Sequence, residues 1–113
     1  HLDYVRDILD AMEKVQTFTA GMEYTDFVRD DKTSFAAARA LEIIGEATKN
    51  VPDGIRVRFP DGPWRDMAGM RDILSHAYFG VDLEVVWKTA TERVPQVAPE
   101  ARRALDVLEA EHD

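Results

Sequence analysis

Cysteine is absent from the sequence. That excludes disulfides and thiolate zinc sites as sources of stability, and it suits the reducing cytosol, so a cytoplasmic location is expected. No apolar run approaches the ~20 residues that a membrane span requires, and no secretory signal pattern opens the chain. A membrane partner is therefore not expected. Gly54, Gly62 and Gly69 stand alone, which excludes a glycine-rich loop of the kind that cradles nucleotide phosphates. An alternating strand pattern, an internal repeat and a low-complexity tail are missing as well. The chain starts at His1 rather than Met, so a residue or two is expected before it.

Positive charge is also in deficit, with 14 Lys+Arg against 22 Asp+Glu and a net charge of −8. Nucleic-acid backbones reward positive charge, so this balance argues against non-specific binding to them. The distribution softens the objection. Between residues 51 and 80, Arg56, Arg58, Arg65 and Arg71 are matched by Asp53, Asp61, Asp66 and Asp72, and the whole acidic excess lies elsewhere. A neutral window can become a basic cleft on folding or pairing, while the acidic exterior serves solubility.

What is present is helical periodicity. The 113 residues suit a single domain spanning 1–113. Leu2, Val5, Ile8, Leu9, Met12 and Val15 recur at steps of three and four, which predicts a first amphipathic helix. Gly21 interrupts it, and a short helix is expected from Thr25 to Asp30. A long helix follows from Thr33 or Ser34 to Asn50, with Ala37, Leu41, Ile44 and Ala47 or Val51 on its apolar face. Arg39, Glu42, Glu46 and Lys49 form the opposite stripe. Prolines and glycines make 52–63 the main irregular segment. Trp64 to Tyr78 reads as the next helix, with Trp64 as a core anchor and Gly80 as its left-handed terminus. Asp82 is expected to cap a helix that Pro95 stops, and Pro99 to sit in the first turn of the last one. The fold class is all-α, an antiparallel bundle.

The chemistry concentrates in Met70 to Gly80. On one straight helix, Met67, Met70, Ile73, Leu74 and Ala77 form the apolar stripe, with Arg71, Asp72, Ser75 and His76 on the other side. Arg71 and Tyr78 nearly superimpose, seven residues apart. Arg71 and His76 are five apart, about 140° around the axis, too far to grip one small group together. Either the helix end unwinds, or two copies share the site. Cleavage of RNA by its ribose 2′-hydroxyl needs a base, an acid and a group that stabilises the phosphorane. The planar guanidinium of Arg71 matches phosphate oxygens, and His76 transfers protons near neutral pH. Each residue alone also has an ordinary reading: a structural histidine, an ion-paired arginine, a core-edge tyrosine.

Arg71, four residues, His76, one residue and Tyr78 resembles the Arg–X(four to six)–His–X–Tyr motif of HEPN ribonucleases. A-L-E-I-I-G-E-A (Ala40–Ala47), P-W-R-D-M-A-G-M-R-D (Pro63–Asp72) and H-A-Y-F-G-V-D (His76–Asp82) resemble the HepT branch, and the likeness covers nearly the whole chain. It implies a HEPN-like bundle of four to five helices that forms a homodimer, with both motif copies in one cleft. It further implies a metal-independent endoribonuclease toxin with Arg71 and His76 as catalytic residues, RNA as substrate and no cofactor. The implied partner is a minimal nucleotidyltransferase antitoxin that attaches AMP to Tyr78. A phosphate there would sit beside Arg71 and His76 and repel RNA.

Other residues carry weaker expectations. Glu42 and Glu46 lack the Glu-X-X-His partner of di-iron bundles, so an ion-pair stripe with Arg39 is expected there rather than a metal site. A role for these residues, and for Ser75, in orienting Arg71 stays open. Arg56, Arg58 and Arg65 are read either as trackers of RNA phosphates or as ordinary surface charge. The competing functions are a non-catalytic dimeric module that a nucleotidyltransferase binds and modifies, and a plain helical dimerisation domain.

Overall fold

The computed structural model describes residues 2–72 and 82–112. Among them there is no strand, and the elements follow in the order α1 (Leu2–Thr19), α2 (Tyr24–Arg29), α3 (Asp31–Lys49), α4 (Asp53–Arg58), α5 (Trp64–Gly69), a 3-10 turn (Met70–Asp72), α6 (Leu83–Lys88), a π-helical segment (Thr89–Arg93) and α7 (Val94–His112).

The apolar stripes drive the assembly. Val5, Ile8, Leu9, Met12 and Val15 of α1 are buried together with Ala37, Leu41, Ile44 and Ala47 of α3. Side chains at i, i+3, i+4 and i+7 share a face, so each helix buries one continuous stripe against the other. Tyr4 and Asp7 line a hollow with Ile43 and Asn50, whereas Lys14 and Phe18 line one with Ala36 and Ala40. The start of α1 thus meets the end of α3, and the two run antiparallel. Arg6 pairs with Glu109 at 3.2 Å, while Gln16 shares a groove with Pro95 and Pro99, so α7 also runs antiparallel to α1. This is a helical bundle in which α1 is flanked by α3 and α7.

Local chemistry sets the ends. Gly21 takes a φ of 76°, the left-handed conformation that turns the chain out of α1. The short second helix begins at Tyr24 rather than Thr25. Glu23 caps it through a reciprocal box with Asp26, whose carboxylate accepts from the Glu23 amide at 2.9 Å. Phe27 is fully buried there, with its ring 5.1 Å from that of Trp87. The long helix α3 starts two residues before the expected Thr33. Asp30 is its cap, accepting from the Thr33 amide at 3.0 Å and the Thr33 hydroxyl at 2.7 Å. Buried Thr48 satisfies its hydroxyl on the Ile44 carbonyl at 2.7 Å.

Four expectations are corrected. The segment 52–63 contains a helix, α4, whose Ile55 is buried in the core. The helix from Trp64 ends at Gly69 and tightens into the 3-10 turn, so it does not run as one α-helix through Arg71. Its expected end at Tyr78 and Gly80 lies outside the described residues. Nor does Pro95 stop a helix, since the helical path continues from Leu83 to His112. The π segment supplies the reason. Its wider turn bonds the Val94 amide to the Thr89 carbonyl, which shifts the hydrogen-bond register just ahead of the proline ring. Pro95 then falls in the first turn of α7, where a missing amide costs little. Pro99 lies inside α7 rather than opening a new helix, on an exposed position.

The Thr33 hydroxyl and amide hold the Asp30 carboxyl below its ordinary value of 3.8. A depressed carboxyl stabilises the fold fully above its unfolded pKa and loses that contribution as pH falls through the folded value. Asp30→Ala is therefore expected to lower the melting temperature at neutral pH. Paired thermal melts should show the gap between variant and wild type closing as the pH drops below 3.8.

Candidate active site at the α3 and 3-10 turn contact

Arg71 is delivered by a tertiary contact. Met67 and Met70 are buried on the core side, which turns the next residue outward. Its backbone lies directly against α3 at Gly45. An ideal Cβ on Gly45 would fall 2.7 Å from the Arg71 Cβ and 2.9 Å from its Cα, and closer still to its amide nitrogen. Real side chains do not tolerate such contacts, so only glycine lets the turn approach this closely. In a helix interior glycine costs about 1 kcal/mol relative to alanine, a local cost that this packing explains.

The guanidinium reaches outward and meets the following residue of α3. Its Nε lies 3.3 Å from Oε1 of Glu46, with both side chains roughly half exposed. Engaging Nε leaves the terminal nitrogens at the other edge of the planar fork, the edge suited to a phosphate. Glu42 pairs instead with Arg39. The stripe Arg39, Glu42 and Glu46 thus holds two adjacent ion pairs, one of which includes Arg71. Among the described residues no cluster of three or more His, Asp or Glu is arranged to hold a metal ion. Ser75, His76 and Tyr78 lie outside the described residues.

The arginines of the neutral window divide by task. Arg56 donates to the Thr48 carbonyl at 2.6 Å and the Val51 carbonyl at 3.3 Å, closing the C-terminal end of α3. Arg58 pairs with Glu111 and lies over the Phe59 ring, 5.7 Å from its centroid. Both are held by the fold. Arg65 lines an open groove of about 510 Å³ between α5 and the π segment, together with Lys88 and Arg93. Arg93 is paired with Asp66 and Lys88 with Glu84. Trp64 is buried, and its indole donates to the Phe59 carbonyl at 2.9 Å, which fixes the start of α5.

Sequence reasoning did not single out Gly45. Its signal was a lone glycine in the middle of a strongly periodic helix.

A family model described as "Ribonuclease HepT-like" matches residues 8–104. The chain belongs to the HepT-like ribonuclease family. A protein of Thermococcus cleftensis named "Probable ribonuclease HepT" is 53% identical over 97 residues, covering 86% of this chain and 88% of the relative. A Methanocaldococcus jannaschii protein provisionally named as an RNase is 39% identical over 110 residues, covering 97% and 91%. One from Caldanaerobacter subterraneus, also provisionally named as an RNase, is 38% identical over 102 residues, covering 90% and 91%. No solved structure matches the chain. No helix among the described residues is long and apolar enough to cross a membrane.

Because Arg56 is spent on carbonyls, Arg56→Met is expected to cost about 1.5–3 kcal/mol of stability, the range of hydrogen bonds to a charged donor. Denaturant melts would measure that loss. RNA cleavage by the folded variant should stay at the wild-type rate; a variant that kept its stability and lost cleavage would move Arg56 into the RNA-binding surface.

Proposed function

We propose that this HepT-like ribonuclease is a metal-independent endoribonuclease toxin, with Arg71 and His76 as its catalytic pair. One observation carries the reading. The arginine of the Arg–X4–His–X–Tyr motif is seated against α3 and tethered through Nε to Glu46, with its side chain roughly half exposed. That suits a group which must meet a phosphate.

On this reading the ribose 2′-hydroxyl attacks the adjacent phosphorus, and a base takes its proton. Arg71 neutralises the charge gathering on the non-bridging oxygens. His76, as imidazolium, gives its proton to the departing 5′-oxygen as the P–O bond breaks. The products are a 2′,3′-cyclic phosphate and a free 5′-hydroxyl. One chain offers a single histidine away from its ends, so the base comes from a second copy. The working unit is a homodimer in the cytoplasm. The net charge of −8 makes the exterior repel free RNA, so capture relies on the cleft. Arg65, on the open groove beside α5, is a further cation for RNA phosphates in this reading.

The partner in this reading is a minimal nucleotidyltransferase antitoxin that attaches AMP to Tyr78. The motif alone supports this step. The superposition of Tyr78 above Arg71 assumed one continuous α-helix, and the 3-10 turn at Met70–Asp72 removes that premise.

Purified protein incubated with total RNA in excess EDTA should cleave it, leaving cyclic phosphate ends. Arg71→Ala and His76→Ala should each cut cleavage to a small residual rate, and mixing the two variants should restore much of it. A requirement for divalent metal, or a fully active monomer by sedimentation, would overturn the composite site. No cleavage by unmodified protein that still binds its nucleotidyltransferase would favour the non-catalytic module instead. Co-expression with that enzyme should place AMP on Tyr78 by mass spectrometry, and Tyr78→Phe should escape inhibition. AMP on Tyr4 or Tyr24 alone would refute the switch.

A further inference from the structure

We infer that Gly45 is a positioning residue for the nuclease reaction: the space left by its missing side chain seats the Arg71 backbone, so that Glu46 can fix the guanidinium. The inference rests on Arg71 acting on the scissile phosphate.

The geometry separates this from ordinary core packing. The atoms that a Gly45 Cβ would meet are the Arg71 amide nitrogen, Cα and Cβ, which no rotamer change can move aside. Any side chain at position 45 must therefore push the 3-10 turn off α3. Gly45 and Glu46 are consecutive in α3, one holding the backbone of Arg71 and the other its Nε at 3.3 Å. Pushing the turn outward changes both distances at once. The guanidinium lies several bonds beyond the displaced backbone, in a half-exposed position where Glu46 is its acidic partner among the described residues. A small shift in the turn thus becomes a change in where the fork points. Transition-state contacts are sensitive to that, and ground-state binding much less so.

The test is a double-mutant cycle on single-turnover cleavage of an RNA oligonucleotide. Gly45→Ala should lose about a hundredfold in kcat, the usual cost of a misplacement near 1 Å, with KM little changed. Added to Arg71→Ala, it should cost almost nothing further, because the residue through which it acts is gone. Gly54→Ala is the control. It lies in α4 with nothing within 4 Å of the added Cβ, and should leave cleavage unchanged. Full activity in Gly45→Ala, or a loss that multiplies in full onto Arg71→Ala, would overturn the inference. Wild-type activity in Arg71→Ala would instead overturn the functional reading, and this inference with it. Should Gly45→Ala fail to fold, the exposed Glu46→Ala carries the test. Its kcat should fall without a rise in KM, and an unchanged or raised kcat would refute the positioning role.

Discussion

The approach of the Arg71 backbone to α3 at Gly45 is the constraint on which the candidate site depends, and it rests on a longer chain of contacts. Ile44, next to Gly45, is fully buried, as are Leu41 three residues earlier and Ile8 and Val15 on α1. A close-packed interior does not let such residues slide, so the rotation of α3 about its axis is fixed by its stripe against α1. That rotation decides where Gly45 and Glu46 face. Met67 and Met70, both buried, pin the turn from its other side. The reactive arginine of this reading is therefore positioned by hydrophobic packing on two sides, and its own ion pair makes only the last adjustment.

Charge plays a smaller part in holding the fold than its abundance suggests. The pairs Lys14–Asp10, Lys88–Glu84 and Arg103–Glu100 join residues one turn apart on exposed helix faces. Such pairs are screened by solvent and add little to stability. Arg58–Glu111 and Arg6–Glu109 differ in joining distant parts of the chain, tying α4 and α1 to the end of α7. These commitments bear on function. Within the neutral window Arg56 and Arg58 are engaged by carbonyls and a carboxylate, which leaves Arg65 and Arg71 as its arginines facing a groove or the site. A protein with a net charge of −8 does not gather RNA by diffuse attraction. Recognition has to be local, with Glu46 on the Nε of Arg71 and the terminal nitrogens left for the phosphate.

The elements legible in the sequence are those whose signal is one face of one helix. The stripes of α1 and α3 read directly as period-3.6 patterns, and every α3 position expected in the core is buried. Trp64 behaves as the expected anchor. The misreadings share a different origin. A proline rule applied residue by residue ends a helix at Pro95, yet a π turn one step upstream re-registers the hydrogen bonds and lets the helix pass. A continuous helix from Trp64 looks right by periodicity, yet the chain tightens into a 3-10 turn at Met70, where it packs against α3. The helix hidden at Asp53–Arg58 carries one buried side chain, Ile55, too little for a pattern. None of these features leaves a periodic signal in a local window.

That tightening changes the argument about the site as well. On one straight α-helix, Arg71 and His76 diverge by about 140°, and a shared site between copies follows from the divergence. A 3-10 turn advances each residue by about 120° with a longer rise, so the angle no longer follows from the five-residue spacing. The case for two copies then stands on stoichiometry instead. Transfer of one proton from the 2′-hydroxyl and another to the 5′-oxygen calls for two proton-transfer groups, each titrating near neutrality. His1 and His112 sit at the chain ends, and the α3 carboxylates Glu42 and Glu46 are engaged by Arg39 and Arg71. The second imidazole in this mechanism is therefore the partner copy's equivalent of His76, whatever the path of the backbone between Asp72 and Asp82.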